Sequence, residues 1–245
     1  MTDASPLLAI RGLRKSFGGL QAVRGFDLDV APGAIVGLIG PNGSGKTTVL
    51  NLITGEIAAD GGSVRLAGQE MIGLPAFRIC RARIARTFQL VRILPGMTTR
   101  ENVLVGRLFG AAPAALERAR HDVDALLDRV GLAERADQPG AQLTYIDQKR
   151  VELARALATQ PRVLLLDEWL AGLNPSELQI GIALIRQVRS EGVTVVMIEH
   201  VMEAIRALCD HVVVMSAGAL IAAGAPDGVL RDPEVARVYL GDDDA

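Results

Sequence analysis

The chain has 245 residues, 49% hydrophobic and 22% charged, with 26 basic against 28 acidic side chains and a net charge of −2. That length allows one large α/β domain, or a core with a small subdomain; the even charge balance, with 3% aromatic residues, excludes a chain-wide nucleic-acid footprint. The apolar, charge-free stretch 212–226 spans 15 residues and is broken by Gly218 and Gly224, short of the roughly 20 apolar residues of a helical membrane span.

The opening MTDASPLLAI has an early acid and a proline and lacks the charged-then-apolar order of a signal peptide, so an intracellular soluble chain is expected. Cys80 and Cys209 lie far apart without metal-ligand spacing, and two buried reduced thiols are expected. Strands are predicted at 7–11, 22–30 and 34–39, from short apolar runs rich in β-branched residues. The third leads into GPNGSGKT, where Gly40, Gly45, Lys46 and Thr47 fit G-x-x-x-x-G-K-[ST] between a strand and a helix. Glycines there let backbone wrap a polyphosphate, helix N-terminal N–H groups point at it, Lys46 neutralises charge and the Thr47 hydroxyl can bind Mg²⁺. A chance glycine-rich turn is the alternative, opposed by the strand and helix on either side.

Further on, Arg78, Arg81, Arg83 and Arg86 form a basic cluster, expected to be a solvated face, with a surface near a partner as the alternative. Gln89 closes the short apolar segment RTFQL and by itself carries no assignment. Between about 92 and 159 no strand is predicted. Leu116, Ala119, Val123, Leu126, Leu127 and Val130 repeat at helical spacing, and 145–159 reads as a second helix ended by Pro161. This span is expected to be a helical subdomain inserted into an α/β core.

Strands at 163–166, 193–198, 212–215 and 220–223 complete the pattern, which implies α/β with a largely parallel sheet. VLLLD is apolar up to its acid, as a strand buried on both faces should be. Asp167 at its end is the expected acid for organising Mg²⁺. Glu168 would point toward an attacking water, the alternative being a solvated loop acid. Glu199 and His200 end another buried strand; His200 is either a structural hydrogen-bonder or a ligand residue at a sheet edge. There is no internal repeat or low-complexity linker, and the DDDA tail is expected to fray.

In order, Phe17, GPNGSGKT, Gln89, LTYIDQKR, VLLLDE, AGLN and His200 resemble the ATP-binding subunit of an ABC transporter, over nearly the whole chain. RTFQ, AGLNP, IEHVMEAI and DPEVARVYLGDD look like the branched-chain amino-acid uptake group of that family. The resemblance implies an α/β fold with a P-loop NTPase core of ABC ATPase type, an antiparallel β subdomain and an inserted helical subdomain. It implies a single domain over 1–245, with 1–91 and 160–245 as core and 92–159 helical. ATP and Mg²⁺ are the implied cofactors. Phe17 matches the aromatic that stacks on adenine, the alternative being an ordinary core phenylalanine. Gly40, Pro41, Asn42, Gly43, Ser44, Gly45, Lys46, Thr47 and Thr48 match the phosphate loop. Gln89 matches the residue that touches Mg²⁺ or the attacking water, Asp167 the Mg²⁺ acid, Glu168 the catalytic base and His200 the γ-phosphate switch. Thr144, Tyr145 and Ile146 match the signature turn, which serves a second subunit's ATP, and residues 171–174 the loop crossing the dimer interface.

The implied partners are transmembrane permease subunits, a second ATP-binding subunit and, indirectly, an external solute-binding protein, with no nucleic acid. The implied place is the cytoplasmic face of the cell membrane, peripherally. Three positions depart from the family pattern: Ile146 stands for glycine, Trp169 for proline and Asn174 for the aspartate of many relatives. Thr144 is expected to cap its helix in a capping-box-like arrangement with Asp147. In a first helical turn φ is negative, so an isoleucine backbone fits and the concern is bulk near the phosphate. The turn points to a heterodimer with one weakened ATP site, a homodimer being the alternative. Trp169 reads as a packing residue beside Glu168. Two other outputs compete: a soluble ABC-type ATPase of translation or DNA repair, and a regulatory nucleotide-binding module with weak hydrolysis.

Overall fold

A computed structural model describes residues 5–240; the DDDA tail lies outside the described residues. The chain opens with β1 (Leu8–Phe17), β2 (Leu20–Val30) and β3 (Ile35–Ile39), followed by α1 (Lys46–Ile53), β4 (Gly61–Leu66), β5 (Gln69–Glu70), α2 (Ala76–Arg81) and β6 (Ile84–Arg86). Three helices come next: α3 (Thr99–Phe109), α4 (Leu116–Arg129) and α5 (Tyr145–Ala158). The remainder runs β7 (Val163–Asp167), α6 (Pro175–Ser190), β8 (Thr194–Ile198), α7 (Met202–Leu208), β9 (His211–Ser216), β10 (Ala219–Gly224), α8 (Pro226–Val229) and α9 (Pro233–Leu240).

Two sheets result. A four-stranded antiparallel sheet has the order β2-β1-β4-β5, and a six-stranded sheet the order β10-β9-β3-β8-β7-β6, parallel except where β10 pairs antiparallel with β9. Strands β3, β7 and β8 are buried at every position, as a parallel sheet covered on both faces requires. Alternate residues divide between the faces: Leu38 joins Leu50, Ile10 and Phe26 in a core with α1 and the antiparallel sheet, while Ile39 joins Leu153, Ile182 and Ile205 in a core with α5, α6 and α7. A separate cluster, with Val103, Val123, Leu127 and Val151, binds α3, α4 and α5 together. Because β3, β7 and β8 are neighbours with the same direction, the segments that follow them emerge at one sheet edge.

The structure adds elements that periodicity did not indicate. Strand β1 continues past Arg11 through a register shift around Gly12, where an isolated glycine reads as a break in sequence. Strand β4 carries two glycines and buries only Val64 and Leu66, while β5 and β6 are two and three residues long, too short for a pattern. Helix α3 did have a signal: Thr98 and Glu101 form a capping box at its start. Both cysteines are free, but only Cys209 is buried; Cys80 is half-buried, contrary to the expectation for it.

Candidate nucleotide site

After β3 the chain makes the glycine-rich turn and enters α1 at Lys46. Gly40 and Gly45 have φ of 144° and 102°. A Cβ on Gly40 would come 2.1 Å from the Met215 carbonyl oxygen, and one on Gly45 2.3 Å from that of Ala22, so neither turn position admits a side chain. The loop borders a cleft of about 460 Å³ lined by Phe17, Asn42, Gly43, Gly45, Lys46, Thr47, Thr48, Gln89 and Glu168, together with Leu20, Arg24 and Gly218. Gly40, Pro41, Ser44, Asp167 and His200 stand outside that lining. Phe17 is 50% exposed, which removes the core alternative for it. Lys46 is buried and donates to the carbonyls of Gly40 at 2.8 Å and Pro41 at 2.9 Å. Burial lowers the pKa of its ammonium, against the opposing charges of Glu168 and Asp167.

Asp167 is buried at the end of β7, where Arg86 Nη2 pairs with its Oδ2 at 2.6 Å and Nη1 reaches Asn51 Oδ1 at 2.5 Å. Arg78, Arg81 and Arg83 are exposed as expected, but Arg86 is not part of that solvated face. A buried guanidinium needs an anion, and Asp167 is the one it has. The other oxygen, Oδ1, is buried without a partner, as is Ser44 Oγ. The free carboxylate oxygen fits a hydrated cation, and the free hydroxyl can donate to a phosphate oxygen. Among the described residues no group of three or more His, Cys, Asp and Glu side chains could hold a metal alone. Mg²⁺ needs no such cage, being held in general by one or two protein oxygens, water and substrate phosphates.

Glu168 follows with φ of 49°, left-handed backbone that costs a non-glycine residue about 1–3 kcal/mol. Its N–H donates to the Ile198 carbonyl at 2.9 Å, and its Oε2 accepts from Gln89 Nε2 at 2.9 Å. His200 Nδ1 is 4.0 Å from the same oxygen. Lys46, Thr47, Gln89, Glu168 and His200 are therefore gathered around one sheet edge, whereas Thr144, Tyr145 and Ile146 do not line this cleft and open α5 elsewhere.

At that turn Thr144 caps α5, accepting the Asp147 N–H at 3.4 Å. The expected reciprocal bond takes another form. Asp147, one methylene shorter than glutamate, receives the Thr144 hydroxyl proton on Oδ2 at 2.6 Å, and the same buried carboxylate pairs with Arg135 and with Arg150 at 3.3 Å. Ile146 lies within the helix and is absent from the positive-φ residues, so its backbone is unstrained.

Helix α5 grips two site loops. Buried Glu152 accepts the N–H groups of Phe88 at 3.3 Å and Arg92 at 3.1 Å, flanking Gln89. Buried Lys149 donates to the carbonyls of Trp169 at 2.9 Å and Ala171 at 2.8 Å, and the Trp169 indole N–H returns a bond to the Lys149 carbonyl at 3.1 Å. Sequence reasoning missed Arg86, Glu152, Lys149 and Glu199. Only Glu199 carried a signal, an acid ending an otherwise apolar strand run.

A phosphate loop after a central parallel strand, an acid pair after its second neighbour and a capped helical turn held apart from both define an ATP-binding cassette. The chain belongs to the ABC transporter family: residues 23–171 match the model described as ABC transporter, and residues 219–245 that described as branched-chain amino acid ATP-binding cassette transporter. It is 43% identical, over 97% of its length and 98% of the relative's, to the high-affinity branched-chain amino acid transport ATP-binding protein BraF of Pseudomonas aeruginosa. It is 40% identical, over 98% and 99%, to the protein LivG, described in the same words, of Escherichia coli K12. Among solved structures it is similar to the ADP conformation of an ATP-binding cassette of an ABC transporter, with TM-score 0.88 and 30% identity over 96% of this chain and 99% of that one. The chain is an ABC-type ATPase that binds ATP. ATP-binding subunits of this family dimerise and work with transmembrane permeases at the inner face of the membrane. Among the described residues no helix is long and apolar enough to cross a membrane.

Proposed function

We propose that this chain is the peripheral ATP-hydrolysing subunit, on the cytoplasmic face of the cell membrane, of an importer for branched-chain amino acids or a related small polar solute. The observation that carries the reading is Glu168, held at the cleft beside Lys46 with its carboxylate bonded to Gln89. Phe17 offers its exposed ring to an adenine. Residues 40–48 cradle the phosphates, with Lys46 turning from its own loop carbonyls to them. Thr47, Gln89 and Asp167 would hold Mg²⁺, which supplies positive charge for the phosphoryl group. Glu168 orients the attacking water as general base, and His200 contacts the γ-phosphate side of the site.

Residues 1–91 and 160–245 form the α/β core on this reading and 92–159 the helical subdomain, with the separate apolar cluster of α3, α4 and α5 in support. The permease docks at an apolar groove lined by Ile79, Phe88, Val105 and Phe109, beside the Gln89 loop. Exposed Phe77, Leu90 and Phe109 and the basic Arg78 and Arg81 suit a partner with apolar and acidic contacts. The external solute-binding protein acts through that permease. The second ATP-binding subunit is a different chain: at this turn the Thr144 hydroxyl donates its hydrogen bond to Asp147, a buried carboxylate sits near the helix start, and Ile146 adds bulk. The site built on Lys46 relies on the partner's turn, and the site completed by Thr144, Tyr145 and Ile146 is the weaker one. The two non-transport alternatives find no support among relatives that match along almost their whole length.

The test is Glu168→Gln in the assembled transporter. ATP binding is expected to persist while turnover falls roughly 10²–10⁴-fold, the range for a general base. Near-normal turnover discards the assignment.

A further inference from the structure

Lys149 and Glu199 lie off the nucleotide cleft and have no part in the reading above. They are among the most buried charged side chains described, at 2% and 1% exposure. Burying such groups is unfavourable unless they are bonded, and their bonds converge on one short turn. Lys149 Nζ donates to the carbonyls of Trp169 and Ala171 at 2.9 and 2.8 Å, with that of Glu168 at 3.4 Å. An ammonium has three donors, and all three point into this turn. From the end of β8, Glu199 Oε1 accepts the Leu170 N–H at 2.6 Å. Each of residues 168 to 171 thus has a backbone group held by one of the two side chains. Glu168 itself has left-handed backbone, a conformation that persists only where its surroundings over-determine it.

We propose that Lys149 and Glu199 are positioning residues for Glu168, clamping the turn from Glu168 to Ala171 between α5 and the end of β8 so that the Glu168 carboxylate stays in reach of Gln89 and the cleft. Neither lines the nucleotide cleft. Lys149 stands on the helix that begins at Thr144, so the clamp also makes the backbone of Glu168 depend on where that helix sits. The proposal rests on the reading of Glu168 as the residue that orients water.

The experiment is a double-mutant cycle in the assembled transporter, following ATP turnover together with ATP affinity. Lys149→Met is expected to lower kcat by roughly 10²-fold, the penalty for a misplaced catalytic group, with ATP affinity and KM little changed. Lys149→Arg, which keeps donors at the site, should retain most of the rate. In a Glu168→Gln background, Lys149→Met should change the residual rate by less than about twofold, because a residue acting through another adds nothing once that other is gone. An equal fold-loss in both backgrounds, or undiminished kcat in Lys149→Met alone, overturns the proposal. Should Lys149→Met not fold, the second face of the clamp decides: Glu199→Gln keeps an acceptor for Leu170 and should keep the rate, whereas Glu199→Leu should lose it. Equal rates in those two variants also overturn the clamp. Near-normal turnover in Glu168→Gln alone identifies the failure as that of the catalytic reading instead.

Discussion

The carboxyl of Glu199 has its pKa pushed up from 4.5 to about 7. Burial is the main cause and the Glu168 charge adds to it, while the Leu170 N–H, the Lys149 ammonium on α5 and the His200 backbone oppose it. One oxygen takes the Leu170 N–H and the other, Oε2, is buried without a partner, a natural seat for the proton. Between about pH 4.5 and 7 the folded chain keeps a proton that the unfolded chain has released. By linkage, stability then falls as pH rises, by about 1.4 kcal/mol per pH unit for one proton. The contribution is complete below about pH 4.5 and gone above about pH 7, a span of roughly 2.5 units worth about 3 kcal/mol.

Glu199→Gln removes this dependence while keeping an acceptor for Leu170. Its stability relative to the unsubstituted chain should therefore improve by about 3 kcal/mol between pH 4.5 and pH 8. For a chain of this size that is about 6–12 °C in relative melting temperature. Urea and thermal unfolding of both proteins across that range measure the difference, and taking the difference cancels every other titrating group. Parallel stability curves would refute the reasoning, and a gap that narrows toward pH 8 would show that Lys149 holds Glu199 ionised in the folded chain.

Two further outcomes follow from the turn and its neighbour. Ile146→Gly should raise turnover of the full complex by relieving the weaker site, at a helix cost of about 0.5–1 kcal/mol relative to alanine; unchanged turnover would mean that Ile146 does not weaken it. Trp169, the only tryptophan, is 1% exposed with its indole N–H bonded to the Lys149 carbonyl. Its emission should shift when ATP closes a Glu168→Gln dimer and α5 moves against this turn, and an unchanged spectrum with dimerisation demonstrated would remove that role.

The strands that carry the site were legible because they are buried on both faces. VLLLD and TVVMI are continuous apolar runs, and a run ended by an acid or a glycine turn announces a sheet edge. The phosphate loop was legible because its glycines are demanded locally, two of them by carbonyls that leave no space for a Cβ. The antiparallel sheet was legible only in part, since half-buried strands interrupted by glycines lose their alternation. Contacts between distant segments left no trace in any window of sequence. Arg86 reaches Asp167 across 81 positions, Glu199 reaches Leu170 across 29 and Lys149 reaches Trp169 across 20. A basic residue among four arginines looks like surface, and a lysine in a helix looks solvated, until folding shows which anion or carbonyl it meets.

The departure at Trp169 makes more sense with its neighbours than by itself. Trp169 replaces a residue without a side-chain donor by the largest one available, and a neighbouring choice makes room for it. At Gly181 in α6 a Cβ would lie 2.5 Å from Leu170 Cδ2 and 3.2 Å from the Trp169 ring. A glycine inside a helix costs about 0.5–1 kcal/mol against alanine, less than the roughly 1.5–3 kcal/mol gained by fully burying a large apolar side chain. The indole N–H would itself be costly if unmet, and the Lys149 carbonyl meets it. Lys149 then answers from its other end, with its ammonium on the carbonyls around the tryptophan. Trp169, Gly181 and Lys149 thus form one mutually fitted set that fastens the turn after Glu168 to α5. A substitution at any one of them should be felt at the other two before it is felt at the phosphate loop.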